Sequence, residues 1–280
     1  MLPVRTIEVT KVRRITPRMA RITFGGPDLA GFGGYTEPDQ QVKLYFPKPG
    51  HAVPVLPDPD AEFLSWYQTY NEIPEADRPW MRSYTLSGHD SGDDTIDIDF
   101  VLHDHAGPAT LWAMSAEPGD KLGMFGPSDD FARPVPLRTS VEAADWLLVA
   151  GDETALPAIG TLLGWLPPGH RALVYVEVAD AAEHQRFDTR ADAAVHWVHR
   201  DGAETGPLVD ALREAEFPPG SVFAWIAAES GVVRSLRRHL IGDRGVGKRA
   251  IEFTGHWRRA LTQDDAPTAE DIAEAQERYQ

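Results

Sequence analysis

Trp146-Leu147-Leu148-Val149-Ala150-Gly151-Asp152-Glu153-Thr154-Ala155-Leu156-Pro157-Ala158 is the stretch that decides the fold. Five residues with no charged break read as a strand buried on both faces, the habit of strands in parallel sheets. A glycine turn follows, and then a helix over Thr154–Trp165. Strand, turn and helix in that order suit a nucleotide-binding half, although the turn is not G-x-G-x-x-G. Asp152 and Glu153 would repel a phosphate placed on them, so the acidic pair is expected to cap the helix N-terminus.

The rhythm continues downstream. Strands are expected at Arg171–Ala179, Ala194–His199 and Ser221–Ala228, and helices at Pro207–Ala215 and Gly231–Ile241. Alternating β and α units predict a Rossmann-like parallel sheet. Ala227-Ala228-Glu229-Ser230 closes one strand at the carboxyl edge, where such sheets bind ligands, and opens a helix bearing Arg234, Arg237 and Arg238. Gly255-His256-Trp257-Arg258-Arg259-Ala260 closes the last strand. Its aromatic beside paired arginines suits stacking on a ring and holding an anion. It equally suits a strand end with solvated charges. A final helix is expected over Thr268–Tyr279, with Thr268 and Asp271 as a capping box.

Upstream the chain is β-rich. Arg5–Arg14, Ala20–Phe24, Gln41–Phe46, Met81–Leu86 and Thr95–His103 read as strands. In the last, Ile96, Ile98, Phe100 and Leu102 alternate with Asp97, Asp99, Val101 and His103, which predicts one buried face. Short strands joined by turns predict a small antiparallel barrel. Residues 47–80 read as a long loop with one short helix near Glu62–Tyr70, and 126–144 as a linker rich in Pro, Gly and charge. The expected organisation is a barrel over 1–138, an α/β domain over 139–262 and a helical tail over 263–280.

Two segments of the barrel half have residues suited to a phosphorylated ring cofactor. In Arg82-Ser83-Tyr84-Thr85, Arg82 supplies a planar bidentate phosphate donor. Tyr84 points to the same side of the strand and suits packing against a flavin or its ribityl chain. An edge strand with an exposed arginine reads the same way. In His103-Asp104-His105-Ala106-Gly107-Pro108-Ala109-Thr110-Leu111-Trp112-Ala113 a strand ends and a short helix opens, with free N–H groups for an anion and Thr110 adding a hydroxyl. His103 and His105 also read as a metal pair, with no third ligand suggested nearby.

Composition narrows the class. The 280 residues have no cysteine, which excludes disulfides, thiol redox chemistry and cysteine-held iron–sulfur clusters. A formal net charge of −16 argues against nucleic acid and anionic membrane surfaces as partners. No apolar run approaches the roughly 20 residues of a membrane span. Met1-Leu2-Pro3-Val4-Arg5 has no apolar signal core, so a cytoplasmic protein is expected.

In order along the chain, several pieces resemble the siderophore-interacting protein family, flavin-dependent ferric-siderophore reductases of the ferredoxin-reductase-like group. They are Val42–Pro47, Arg82–Thr85, Asp99–His103, Gly107–Ala113, Pro118-Gly119-Asp120, Gly151–Ala158 and Gly255–Arg259. The resemblance implies a flavin-binding barrel followed by a nicotinamide-nucleotide domain. It places Arg82, Ser83, Tyr84, Thr85, Asp99, Val101, His103, Gly107, Ala109 and Thr110 at FAD, Thr154 near it from the second domain, and Glu229 and Trp257 at the nicotinamide nucleotide. It also implies that Lys43, Arg258 and Arg259 receive a ferric siderophore. The implied chemistry runs from NADH or NADPH through FAD to Fe(III), releasing Fe(II); a monomer is expected. The chain departs from the family at Ser87, at Ala228-Glu229-Ser230, and at His256, where the family usually has Tyr. Its acidity favours a hydroxamate complex over a more anionic catecholate unless the basic residues cluster at the flavin.

Overall fold

The computed structural model describes residues 4–32, 37–59, 61–103, 107–128, 135–201, 206–259, 261 and 268. Strands β1 (Val4–Thr16), β2 (Met19–Gly25), β3 (Gln41–Phe46), β4 (Trp80–Asp90), β5 (Thr95–Val101) and β6 (Lys121–Phe125) close into a barrel in the order β1-β2-β5-β4-β3-β6. The alternation in β5 works as expected on one side, with Ile96, Ile98 and Phe100 in the barrel core beside Ile22, Leu44, Leu86 and Leu122. On the other side Asp99 is also buried, because Arg21 on β2 meets it with Nε–Oδ1 2.7 Å and Nη2–Oδ2 2.9 Å. A paired charge tolerates burial where a lone one does not.

Helix α1 (Phe63–Glu72) is the short helix expected in the long loop. Its Trp66 and Tyr70 pack on Tyr45 outside the barrel, with ring centroids 5.8 and 5.5 Å from Tyr45. Helix α2 (Pro108–Ser115) caps the barrel end through Ala109 and Ala113.

The second half is a parallel sheet, β11-β10-β7-β8-β9, formed by β7 (Trp146–Asp152), β8 (Arg171–Val178), β9 (Asp192–His199), β10 (Val222–Glu229) and β11 (Ile251–Trp257). Every residue of β7 is buried, as the apolar run predicts for a central strand. Leu147 and Val149 face one core with α3 (Leu137–Glu142) and α4 (Leu156–Trp165). Trp146, Leu148 and Ala150 face another, with α5 (Pro207–Glu214) and α6 (Ser230–Gly242).

The stretch expected to be a linker contains α3. Leu137 and Val141 are 1% exposed in the second core, so the helix goes with the sheet, and a boundary at 138/139 would cut through it. Apart from Thr268, the helix expected over Thr268–Tyr279 lies outside the described residues, as do Asp104, His105 and Ala106.

The two units are tied by polar contacts. Glu183, buried after β8, accepts from Thr16 Oγ1 at 2.5 Å and from the Arg18 amide at 3.0 Å. Asp39, before β3, accepts from Trp225 Nε1 at 3.2 Å, and its amide donates to Thr161 Oγ1 at 3.0 Å. Met19 of β2 is counted in the second core rather than in the barrel.

Gly151 stands one residue before the end of β7, where nothing larger fits. A Cβ there would stand 2.5 Å from the Ala155 Cβ and 2.7 Å from the Ala227 carbonyl oxygen. Gly151→Ala is expected to destabilise the protein by about 1–3 kcal/mol through overpacking. Denaturant unfolding checks this, and an unchanged midpoint would show that β7 and β10 part without cost.

Candidate functional site

The site is built between the open side of β4, the N-terminus of α2 and the carboxyl edge of the parallel sheet. On β4, Trp80, Arg82 and Tyr84 share one face by the two-residue period. Tyr84 packs on Phe100 at 4.6 Å and on Phe46 at 6.2 Å, and burial holds its hydroxyl far above the ordinary phenol pKa, so it acts as a neutral ring. Arg82 Nη1 donates to the Met81 carbonyl at 2.8 Å. On the opposite face Ser83 Oγ accepts from Lys43 Nζ at 2.5 Å across the β3–β4 register, and Thr85 is buried.

Helix α2 opens at Gly107 with Pro108 in its first turn and no side chain capping it. Its first amides therefore point outward as an anion site. Ala109 and Thr110 are buried, with Thr110 Oγ1 3.5 Å from the Val101 carbonyl. A cavity of about 550 Å³ lies beside these elements and is lined by Trp80, Lys48, Pro108, Leu111 and Trp112 among others. Lys48 Nζ stands 4.1 Å from the Trp80 ring centre.

At the sheet edge, Asp152 at the end of β7 is the hub. It accepts from the Thr154 amide at 2.9 Å, Thr154 Oγ1 at 2.5 Å, the Glu229 amide at 2.9 Å and Trp257 Nε1 at 2.8 Å. His256 Nδ1 lies 3.1 Å from Thr154 Oγ1. Because Thr154 gives its proton to Asp152, it accepts from His256. One connected line, His256–Thr154–Asp152–Trp257, joins β7 to β11. His103, two residues past β5, has its pKa lowered by desolvation, which the charges of Glu153 and Asp152 across the domain boundary oppose.

The expected capping role is divided. Asp152 caps the 3-10 turn Glu153–Ala155, but Glu153 does not. Its carboxylate instead forms a two-point pair with Arg200 at 2.5 and 2.6 Å, and Arg200 also donates to Glu177 at 3.2 Å. Burial alone would lower the Arg200 pKa, but its bonds to Glu153 and Glu177 raise it above the ordinary value. Glu229 has a second task as well. Its Oε2 caps α6 through the amides of Gly231 at 2.6 Å and Val232 at 3.0 Å, and its Oε1 accepts from the Arg259 amide at 3.3 Å.

Sequence reading missed Asp152 as a hub, together with Arg200, Glu177 and Asp39. Only the acidic residue at a strand end signalled the first. Asp99 is bound up with Arg21, and Val101 lies against the second core. Lys43 is held on the barrel by Ser83, while Arg258 and Arg259 follow β11. Among the described residues no group of three or more metal-ligating side chains is placed to hold an ion. No described helix is long and apolar enough to cross a membrane.

A barrel with an arginine and an uncapped helix N-terminus, joined to a parallel sheet with a ligand-binding edge, defines a two-domain flavin and nicotinamide-nucleotide protein. The chain belongs to the siderophore-interacting protein family: residues 8–131 match the siderophore-interacting FAD-binding domain and residues 144–260 the siderophore-interacting protein model. It is similar to the NADPH-dependent ferric-chelate reductase of Escherichia coli, with 34% identity over 90% of this chain and 92% of that one. The ferric vibriobactin reductase ViuB of Vibrio cholerae is 28% identical over 93% of this chain and 91% of its own. A siderophore utilization protein from T. fusca superposes with a TM-score of 0.74 at 37% identity, covering 95% of this chain and 97% of that one.

The residues present fit FAD. The outward amides of α2 and the Arg82 guanidinium would supply positive charge to a pyrophosphate, and Tyr84 offers an aromatic surface on the same face of β4.

Proposed function

We propose that the chain is an FAD-dependent, NAD(P)H-driven reductase of ferric siderophores that releases Fe(II). The observation that carries this reading is the placement of Arg82 and Tyr84 on one face of β4, beside the uncapped N-terminus of α2. FAD, when bound, takes two electrons as hydride and returns them singly, which is what joins a nicotinamide to Fe(III). The chain's own work is binding, orientation and charge. Arg82 and the α2 amides neutralise the pyrophosphate. Thr154, held by Asp152 and His256, presents an oriented hydroxyl at the sheet edge. Glu229 fixes the start of α6, so the ground beside the nicotinamide does not shift when the nucleotide arrives. Lys43, Arg258 and Arg259 receive the ferric complex.

A broader ferric-chelate reductase is the second reading, and the similarity to the NADPH-dependent ferric-chelate reductase of Escherichia coli favours it. Visible absorption of the purified protein, before and after anaerobic NADH or NADPH, tests the core of both. The expected result is a flavin spectrum that bleaches and is restored by a ferric siderophore. Restoration by simple ferric chelates at the same rate selects the second reading. A colourless protein that takes up no added FAD rules out both.

A further inference from the structure

Val9–Gly25 holds Lys11, Arg13, Arg14, Arg18 and Arg21 and no acidic residue, in a chain of net charge −16. The β1–β2 pairing sets Arg13 directly opposite Arg21. Like charges at such a cross-strand pair oppose one another. Arg21 is anchored from its other side by Asp99 at 2.7 Å and Asp97 at 3.7 Å. Among the described residues the Arg13 side chain has no hydrogen bond, ion pair or ring contact, and neither does that of Arg186, which reaches the same place from the second domain. Arg13, Arg21, Arg186 and His184, with Thr16 and Gln185, line one cavity of about 330 Å³. The acid closest in sequence, Glu183, is occupied by Thr16 and the Arg18 amide.

We propose that this interdomain cleft binds a phosphate monoester dianion, held by the barrel through Arg13 and Arg21 and by the sheet domain through Arg186 and His184. Guanidinium forks match phosphate oxygens, and an anion relieves the repulsion that the strand register imposes. The cleft also touches the edge where a nucleotide would lie: His184 Nε2 is 2.7 Å from Nε2 of His199, at the carboxyl end of β9. Two sources present this chemistry, the 2′-phosphate of NADPH and a separate phosphorylated small molecule. The NADPH source rests on the proposed function, whereas the site itself does not.

Calorimetric titration of the full chain with inorganic phosphate, at constant ionic strength, tests the proposal. Saturable binding is expected, weakened at least tenfold in Arg13→Ser/Arg186→Ser. Both residues are exposed, and Arg186→Ser alone serves as the second variant should the double one fail to fold. Parallel titrations with NADPH and NADH identify the source. Loss of NADPH affinity with NADH unchanged assigns the 2′-phosphate. Loss of phosphate binding alone assigns a separate ligand. No saturable phosphate binding, or equal affinity in wild type and variants, overturns the proposal. A protein that binds phosphate but no flavin would sink the reductase reading and leave this site standing.

Discussion

Arg82→Ala is expected to strip the protein of FAD. A hydrogen bond to a charged group contributes about 1.5–3 kcal/mol, and a bidentate guanidinium–phosphate contact lies at the strong end of that range. Its loss corresponds to roughly 10- to 150-fold weaker binding at 1.4 kcal/mol per factor of ten. The fold should survive, because Arg82 lies outside the buried barrel core and the strand pairs through its backbone. Flavin retained through gel filtration and the quenching of added FAD read the effect directly. Arg82→Lys keeps the charge but not the fork, so it should fall between the two. Full flavin occupancy in Arg82→Ala would move the pyrophosphate away from β4 and leave α2 as its main anchor.

Asp152→Asn should be among the most destabilising single-atom-type changes available to the sheet domain. Four donors converge on the two carboxylate oxygens. An amide keeps one oxygen and turns the other into a donor, so whichever way it lies two N–H or O–H groups lose their acceptor. Each buried unsatisfied group costs about 1–3 kcal/mol. One effect opposes this. Burial, with the charge of Glu153 adding to it, holds the Asp152 pKa above the ordinary value. A carboxyl raised in this way is most favourable to folding below its unfolded pKa, and that contribution is lost as pH rises through the folded value. At neutral pH the charge is therefore a cost that asparagine removes, and the net loss expected is roughly 2 kcal/mol. On acidification toward the unfolded carboxyl pKa the gap between variant and wild type should widen. Unfolding curves at pH 7 and pH 5 measure this, with Trp257 fluorescence reporting its freed indole. A variant as stable as wild type would mean that Asp152 is not the hub of the edge.

Much of the fold was legible in the residues. The apolar run Trp146–Ala150 is buried on both faces, and the alternation in Thr95–Val101 places Ile96, Ile98 and Phe100 inside. Period and burial are local properties, so they leave a local trace. The linker reading failed at α3 because Pro, Gly and charge mark 126–136, while Leu137 and Val141, four apart, are too few to announce a helix on their own. The site was half legible. Arginine, tyrosine and a Gly-Pro turn mark β4 and α2, since the chemistry of a phosphate demands those residue types. The partners of the acids were not legible. Glu153 reads as a helix cap until Arg200 is seen beside it, and Asp99 reads as a surface residue until Arg21 meets it.

The sequence by itself determined the strands and helices, their division into a barrel and a parallel sheet, and the residue types able to meet a flavin, because hydrophobic period and donor chemistry act over a few residues at a time. Only the tertiary structure decided that His256 reaches Thr154 over 102 positions, that Glu183 meets Thr16 over 167 and that Trp225 meets Asp39 over 186. Such contacts depend on how the two cores dock, and a single polar side chain carries no periodic signal of the partner it will find.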